Sequence, residues 1–250
     1  MGGKLVLGHY KALLVDIGNT QIKYALVNQS SDLGDVNFCQ YPDDLISYIQ
    51  SAEQLLVSSV GHSSLVATLV ELCDQSNIAC KVVETESKTL GIQCAYKQFE
   101  TLGVDRWMAI LAAREITPLP VAVIDLGTAN TCDIVIDNRH IGGWISPGFS
   151  VMRESLLSNT QQVFADTRSP EFLKIGETTQ DCVSYGCLAS QTGFVLMAEQ
   201  YLSQHYENYA ILVTGGGQNS LGLQKNEKIS LFPNLVLRGL SRLLESFEAK

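Results

Sequence analysis

Apolar positions in this chain fall into short runs punctuated by glycine and polar turns. The run Leu13–Val15 ends in Asp16, turns at Gly18 and leaves through Asn19 and Thr20 into a second run, Tyr24–Val27. This pattern predicts a β-hairpin with a polar, glycine-bearing tip. Asn28–Asp35 reads as a turn, Asp43–Gln50 as a short helix and Gln54–Ser59 as a buried strand. Ser63–Asn77 has helical spacing, with Leu65, Leu69 and Leu72 on one side, and Lys81–Glu84 reads as a strand. Leu102–Arg114 is a further helix: Gly103 precedes it, Asp105 falls in its first turn, and Pro118 and Pro120 follow its end. An aspartate at that place can simply cap the helix by accepting backbone N–H bonds.

The opening pattern then returns. Val121–Ile136 carries Asp125 and Gly127 between two β-branched runs, as Asp16 and Gly18 stand between theirs. Threonines lie near both tips, Thr20 in the first and Thr128 and Thr131 in the second. The chain therefore reads as an α/β protein made of two copies of one unit, residues 1–118 and 119–250, divided near the prolines. Ile141–Ser150, with paired glycines and a Pro-Gly step, is a segment built for close backbone approach. Phe149–Phe164 is helical, Asp166–Gln180 irregular, and Cys182–Tyr201 a long helix whose Gly186 and Gly193 are placed for close helix packing. A buried strand, Ala210–Thr214, runs into Gly215-Gly216-Gly217, and Leu235–Phe247 closes the chain as an amphipathic helix.

Composition narrows the function. The 250 residues are 46% hydrophobic and 17% charged, with a formal net charge of -9. Such an acidic surface repels phosphodiester backbones and argues against nucleic acid as a partner. The seven cysteines are odd in number and form no Cys-x-x-Cys pair, which fits a reducing cytoplasm rather than a disulfide framework or a zinc site. The four histidines are too scattered for a local metal motif. No run approaches the roughly 18 apolar residues of a membrane helix, and Met1–His9 lacks the apolar core of a secretory signal.

Each hairpin tip groups a carboxylate, hydroxyls and exposed backbone N–H groups, and Lys23 follows the first tip. These are the parts that hold a nucleotide's phosphates and their metal. Two tips, one per half, predict a cleft between duplicated subdomains. There Asp16 and Asp125 manage cations, Asn19, Thr20 and Thr128 donate to phosphate oxygens, and Lys23 neutralises charge if its side chain turns towards the tip. The triple glycine is either a plain strand-to-loop turn or flexible backbone beside a nucleoside. No Gly-x4-Gly-Lys-Ser/Thr loop and no Gly-x-Gly-x-x-Gly fingerprint is present.

Three blocks, Asp16–Lys23 (Asp-Ile-Gly-Asn-Thr-Gln-Ile-Lys), Gly103–Arg106 (Gly-Val-Asp-Arg) and Asp125–Thr131 (Asp-Leu-Gly-Thr-Ala-Asn-Thr), resemble the signature motifs of the type III pantothenate kinases, and Gly142–Gly148 resembles a fourth. The resemblance implies a duplicated actin-like (ribonuclease H-like) ATPase fold and a cytoplasmic homodimer. It also implies transfer of the ATP γ-phosphate to pantothenate, the first step of coenzyme A synthesis, with Mg²⁺ and a monovalent cation, K⁺ or NH₄⁺. Carried over by position, Asp16, Ile17, Gly18, Asn19, Thr20, Gln21, Ile22, Lys23 and Thr128 would bind ATP. Asp105 would be the general base. Tyr96, Gly103, Val104, Asp105, Arg106 and Thr179 would hold pantothenate, and Asp125 the monovalent cation. The chain departs from the family at Gly217, where an aspartate is common, and at Phe99, where a proline is. Another small-molecule kinase of the same superfamily and a non-enzymatic regulatory homologue are the competing readings.

Overall fold

The computed structural model describes residues 8–18, 20–159, 170–217 and 227–248. It divides into two compact units. One comprises the described residues up to Glu115 together with those from Asn234 on; the other runs from Ile116 to Pro233.

In the first unit, β1 (Ala12–Ile17), β2 (Ile22–Val27) and β3 (Asn37–Cys39) form an antiparallel meander. A 3₁₀ turn at Pro42–Leu45 leads into the one-turn α1 (Ile46–Ile49). Next come β4 (Gln54–Ser59), α2 (Ser63–Gln75) and β5 (Ala79–Val82), with β4 parallel to β1 and β5 parallel to β4. The sheet order is β3-β2-β1-β4-β5. A small hairpin, β6 (Lys88–Thr89) and β7 (Ile92–Gln93), turns through Leu90 and Gly91, both at positive φ. A 3₁₀ turn at Phe99–Thr101 then precedes α3 (Val104–Ile116).

The second unit repeats the plan. β8 (Val121–Leu126), β9 (Ala129–Ile136) and β10 (Arg139–Pro147) form an antiparallel meander. After α4 (Phe149–Asn159) and the 27-residue α5 (Thr179–His205), β11 (Ala210–Thr214) runs parallel to β8 and β12 (Ile229–Leu231) parallel to β11. The five strands follow one another as β10-β9-β8-β11-β12, the same order and directions as β3-β2-β1-β4-β5. The recurrence of strand–Asp-x-Gly–strand in the sequence is therefore a recurrence of topology.

Strand alternation sorts each sheet into two faces. In the first unit Leu13, Val15, Ile17, Leu55 and Val57 join Leu69 and Cys73 of α2 in one core. The final helix, α6 (Leu235–Glu248), packs on β1, β2 and β4 from the opposite side, and Leu235, Leu237, Leu240 and Leu244 are buried. Its Gly239 sits so close to α3 that a Cβ would lie 2.0 Å from the Met108 carbonyl oxygen, and Arg242 donates to the carbonyl of Leu111. This packing places the C-terminal helix with the first unit, whereas a division at 118/119 leaves it with the second copy. In the second unit Ala122, Ile124, Leu126, Cys132 and Ile134 meet Val195, Ala198 and Leu202 of α5.

Several local expectations shift. β5 begins at Ala79 rather than Lys81. Ile141–Ser150 lies mostly in a strand, β10, with a bulge between His140 and Gly142. Helix α4 is described to Asn159, and the remainder of Phe149–Phe164 lies outside the described residues, as does the start of Asp166–Gln180. Among the described residues Gly186 and Gly193 do not serve close packing, because a Cβ at either would meet none of their atoms within 4 Å. None of the seven cysteines is disulfide-bonded. Among the described residues no helix is long and apolar enough to cross a membrane.

Candidate active site

The first hairpin tip closes with Gly18 N–H donating to the Gln21 carbonyl at 3.1 Å, and leaves Gly18, Thr20 and Gln21 exposed. Ile17 and Ile22 are buried at the root of the tip. Asn19 lies outside the described residues. Asp16 is the last polar residue before the tip and only 6% exposed. Its cross-strand partner is Lys23 and its parallel neighbour is Ser58. Side chains at paired positions share a face, so Lys23, Asp16 and Ser58 form a row across β2, β1 and β4. Lys23 therefore stands on the Asp16 face of the sheet.

The second tip is one residue shorter in register, Leu126 pairing with Asn130 where Ile17 pairs with Ile22. Asp125 pairs with Thr131 on β9 and Thr214 on β11, a row equivalent to the first. Thr128 is exposed at the turn. Two glycines press on this tip. A Cβ at Gly148 would stand 2.0 Å from the Gly127 oxygen and 2.6 Å from that of Thr128, and Gly148 N–H donates to Thr128 at 2.9 Å. Gly215, at φ +90°, would place a Cβ 2.4 Å from Asp125 Oδ1 and 2.6 Å from the Leu126 oxygen. Gly143 approaches β9 as tightly: a Cβ there would lie 1.8 Å from the Cys132 oxygen. The close approach expected of the Gly142–Gly148 block is thus made to the chain's own second hairpin. The first glycine of the triplet packs on Asp125 rather than merely ending a strand.

The Gly103–Arg106 block opens α3. The Thr85 hydroxyl donates to the Leu102 carbonyl at 2.8 Å, and the buried Trp107 indole donates to Thr89 Oγ1 at 3.2 Å. These two bonds fix the loop on both sides of Asp105. Asp105 is partly exposed, and its Oδ1 accepts the Arg106 N–H at 2.8 Å, so it does cap the helix. The side chain folds back over Gly103, where a Cβ would lie 2.5 Å from that same oxygen; glycine is needed to give the carboxylate this position. Val104 is buried beneath it, and Arg106 is 8% exposed. The Arg106 guanidinium donates to the Tyr96 hydroxyl at 3.4 Å and lies 5.9 Å from the ring centre, a cation–π distance. The structure therefore brings together Tyr96 and Arg106, ten residues apart.

Thr179 belongs to the second unit. It opens α5 beside Thr178, whose hydroxyl accepts the Asp181 N–H as the N-cap. It lines an apolar groove of about 580 Å³ between α4 and α5, with Val151, Met152, Leu156 and Val183. Thr85, Thr89, Ser58 and Thr214 were not singled out from the sequence. The duplicated strand pattern is the available signal for the last two, since each lies at the C-terminal end of a strand parallel to an aspartate-bearing one, directly beside that aspartate.

Comparison with known proteins follows the same lines. The sequence profile of the type III pantothenate kinases matches residues 12–200. The type III pantothenate kinase of Pseudoalteromonas atlantica is 41% identical over 238 residues, 93% of this chain and 97% of that protein. That of Pseudoalteromonas translucida is 34% identical, covering 92% and 94%. Among solved structures, a Campylobacter jejuni protein described as a Baf family transcriptional activator superposes with a TM-score of 0.61 at 20% identity, over 95% of this chain and 100% of that one. A Sinorhizobium meliloti protein described as a 2-dehydro-3-deoxygalactonokinase gives 0.58 at 9% identity, over 94% and 99%. At these identities the structures speak for the fold, that of the actin-like ATPases and sugar kinases. On the profile match and the identity along nearly the whole chain, this protein belongs to the type III pantothenate kinase family.

Proposed function

We propose that this chain phosphorylates pantothenate with Asp105 as general base, the Asp16 and Asp125 hairpins holding ATP, and Tyr96 and Arg106 holding the acceptor. The reaction class is that of its family, ATP-dependent phosphorylation of pantothenate at the head of coenzyme A synthesis. The observation that carries the assignment of roles is the Gly103–Arg106 turn. It presents a partly exposed carboxylate beside a mostly buried guanidinium that is itself oriented by Tyr96.

In this reading the acceptor hydroxyl attacks the γ-phosphorus of ATP and its proton passes to Asp105. The bond from the γ-phosphorus to the leaving oxygen breaks, and ADP departs. Arg106 pairs with the pantothenate carboxylate, and Gly103 and Val104 set the backbone around it. Gly18, Thr20 and Gln21 offer backbone and side-chain donors to phosphate oxygens, with Asn19 assigned the same role. Ile17 and Ile22 anchor the tip, Lys23 supplies positive charge on the Asp16 side, and Thr128 donates from the second hairpin.

The donor set suits Mg²⁺. Asp16 offers a mostly buried carboxylate at the root of the first tip, and Mg²⁺ is ordinarily held through one or two carboxylates plus substrate phosphates and water. When bound, it neutralises phosphate charge as the leaving group forms. Asp125, hemmed by Gly215 and flanked by Thr131 and Thr214, is assigned a monovalent cation, K⁺ or NH₄⁺.

We assign a homodimer to the second unit. Trp144 and Ile145 on β10, Leu196 and Met197 on α5, and Ile175, 93% exposed, leave apolar surface in water, which marks interaction surfaces. Thr179 then reaches pantothenate from a partner subunit. The acidic charge speaks for small-molecule partners rather than nucleic acid, and the unbridged cysteines for the cytoplasm. The test is phosphopantothenate formation from purified protein, ATP and a panel of acceptors. Turnover of a sugar or acetate, with none of pantothenate, would overturn the substrate.

A further inference from the structure

Ser58, the penultimate residue of β4, is 0% exposed, yet among the described residues its hydroxyl has no hydrogen-bond partner. A buried hydroxyl in that condition is unusual and costs stability relative to an apolar residue of the same shape. Its place explains the exception. Ser58 is the parallel neighbour of Asp16. Leu55 and Val57 lie in the core with α2, so Ser58 lies on the other face, in the row with Asp16 and Lys23. The second unit repeats the arrangement, with Thr214 the parallel neighbour of Asp125 and 3% exposed. Both halves thus set a buried hydroxyl beside the aspartate that precedes the hairpin tip.

We propose that Ser58 is a positioning residue for the nucleotide's divalent cation. Its Oγ accepts a hydrogen bond from a water of the cation's shell, while the Asp16 carboxylate holds the cation from the adjacent strand. Mg²⁺ parts reluctantly with its waters, so a hydroxyl fixed in the sheet controls its position without displacing one. The buried hydroxyl is then a cost carried by the unliganded protein and relieved on loading. This inference rests on the Asp16 hairpin being the nucleotide site.

The test compares wild type with Ser58→Ala, and with Ser58→Thr, which restores a hydroxyl of the kind found at Thr214. Three quantities are read: melting without ligand, ADP affinity in EDTA, and Mn²⁺ affinity at saturating ADP by electron paramagnetic resonance. Ser58→Ala is expected to melt at or above the wild-type temperature and to bind metal-free ADP within about twofold of wild type. It should bind Mn²⁺ about 5–30-fold more weakly, the factor for one or two lost hydrogen bonds' worth of free energy, and Ser58→Thr should recover much of that loss. Mn²⁺ affinity unchanged in Ser58→Ala overturns the proposal. So does a loss of metal-free ADP binding equal to the loss of Mn²⁺ binding, or a lowered melting temperature without ligand, since either marks a structural role. A wild type that binds no Mn²⁺·ADP overturns the nucleotide site itself, a different outcome from a wild type and variant that bind alike.

Discussion

Replacing Gly215 by alanine asks whether the triple glycine is structural filler or the mould that shapes Asp125. The residue sits at φ +90°, where a Cβ costs about 1–2 kcal/mol by itself. That Cβ would also fall 2.4 Å from Asp125 Oδ1 and 2.6 Å from the Leu126 oxygen. The carboxylate can swing away, but the Leu126 carbonyl belongs to a strand paired on both sides and cannot. Overpacking of that kind adds about 1–3 kcal/mol, so the expected loss is roughly 2–5 kcal/mol. For a chain of this size each kcal/mol moves the melting temperature by about 2–4 °C, giving a fall of roughly 4–20 °C. Gly216→Ala is the control, because a Cβ there meets no heavy atom of the described residues within 4 Å; a change within about 0.5 kcal/mol is expected. Differential scanning calorimetry of the two variants decides the matter. Equal melting of Gly215→Ala and wild type, or equal losses in both variants, would refute the reasoning.

Three further outcomes follow from the site. Arg106→Leu should raise KM for pantothenate by far more than Tyr96→Phe, which removes one hydroxyl at 3.4 Å and should cost roughly 2–12-fold, a single hydrogen bond's worth; steady-state kinetics in pantothenate check both. Activity should depend on K⁺ or NH₄⁺, and Asp125→Ala should erase that dependence; equal rates of wild type in sodium and potassium buffers would count against the cation assignment. Thr178→Ala removes the hydroxyl that accepts the Asp181 N–H and should cost about 1 kcal/mol of stability, measured by urea denaturation, with little change in turnover.

Much of this was legible from residues alone, and the reasons are physical. Hairpins announce themselves through alternation and a glycine tip, and Gln54–Ser59 and Ala210–Thr214 were bounded as they stand because their apolar runs are unbroken. The strands β3, β6, β7 and β12 were not, since two or three residues are too few to display a period. The approach of Tyr96 to Arg106 was implied by family resemblance, but Thr85 and Thr89, which brace the same turn, act through contacts no local pattern encodes. Gly186 and Gly193 illustrate the opposite error: glycine in a helix suggests tight packing, yet among the described residues nothing packs against these two. The C-terminal helix shows why duplication misleads at boundaries, because its apolar side was unmistakable but the sheet it covers, β1–β2–β4, is more than 170 residues back along the chain.

The account turns on Asp105 as the base, and Asp105→Asn tests it most directly. The amide keeps the side chain's shape and can still cap the helix through its oxygen, so melting and nucleotide binding should stay near wild type. Phosphopantothenate formation, followed with saturating ATP and pantothenate, should fall by roughly 10²–10⁴-fold. A variant that turns over at a near-normal rate would contradict the assignment.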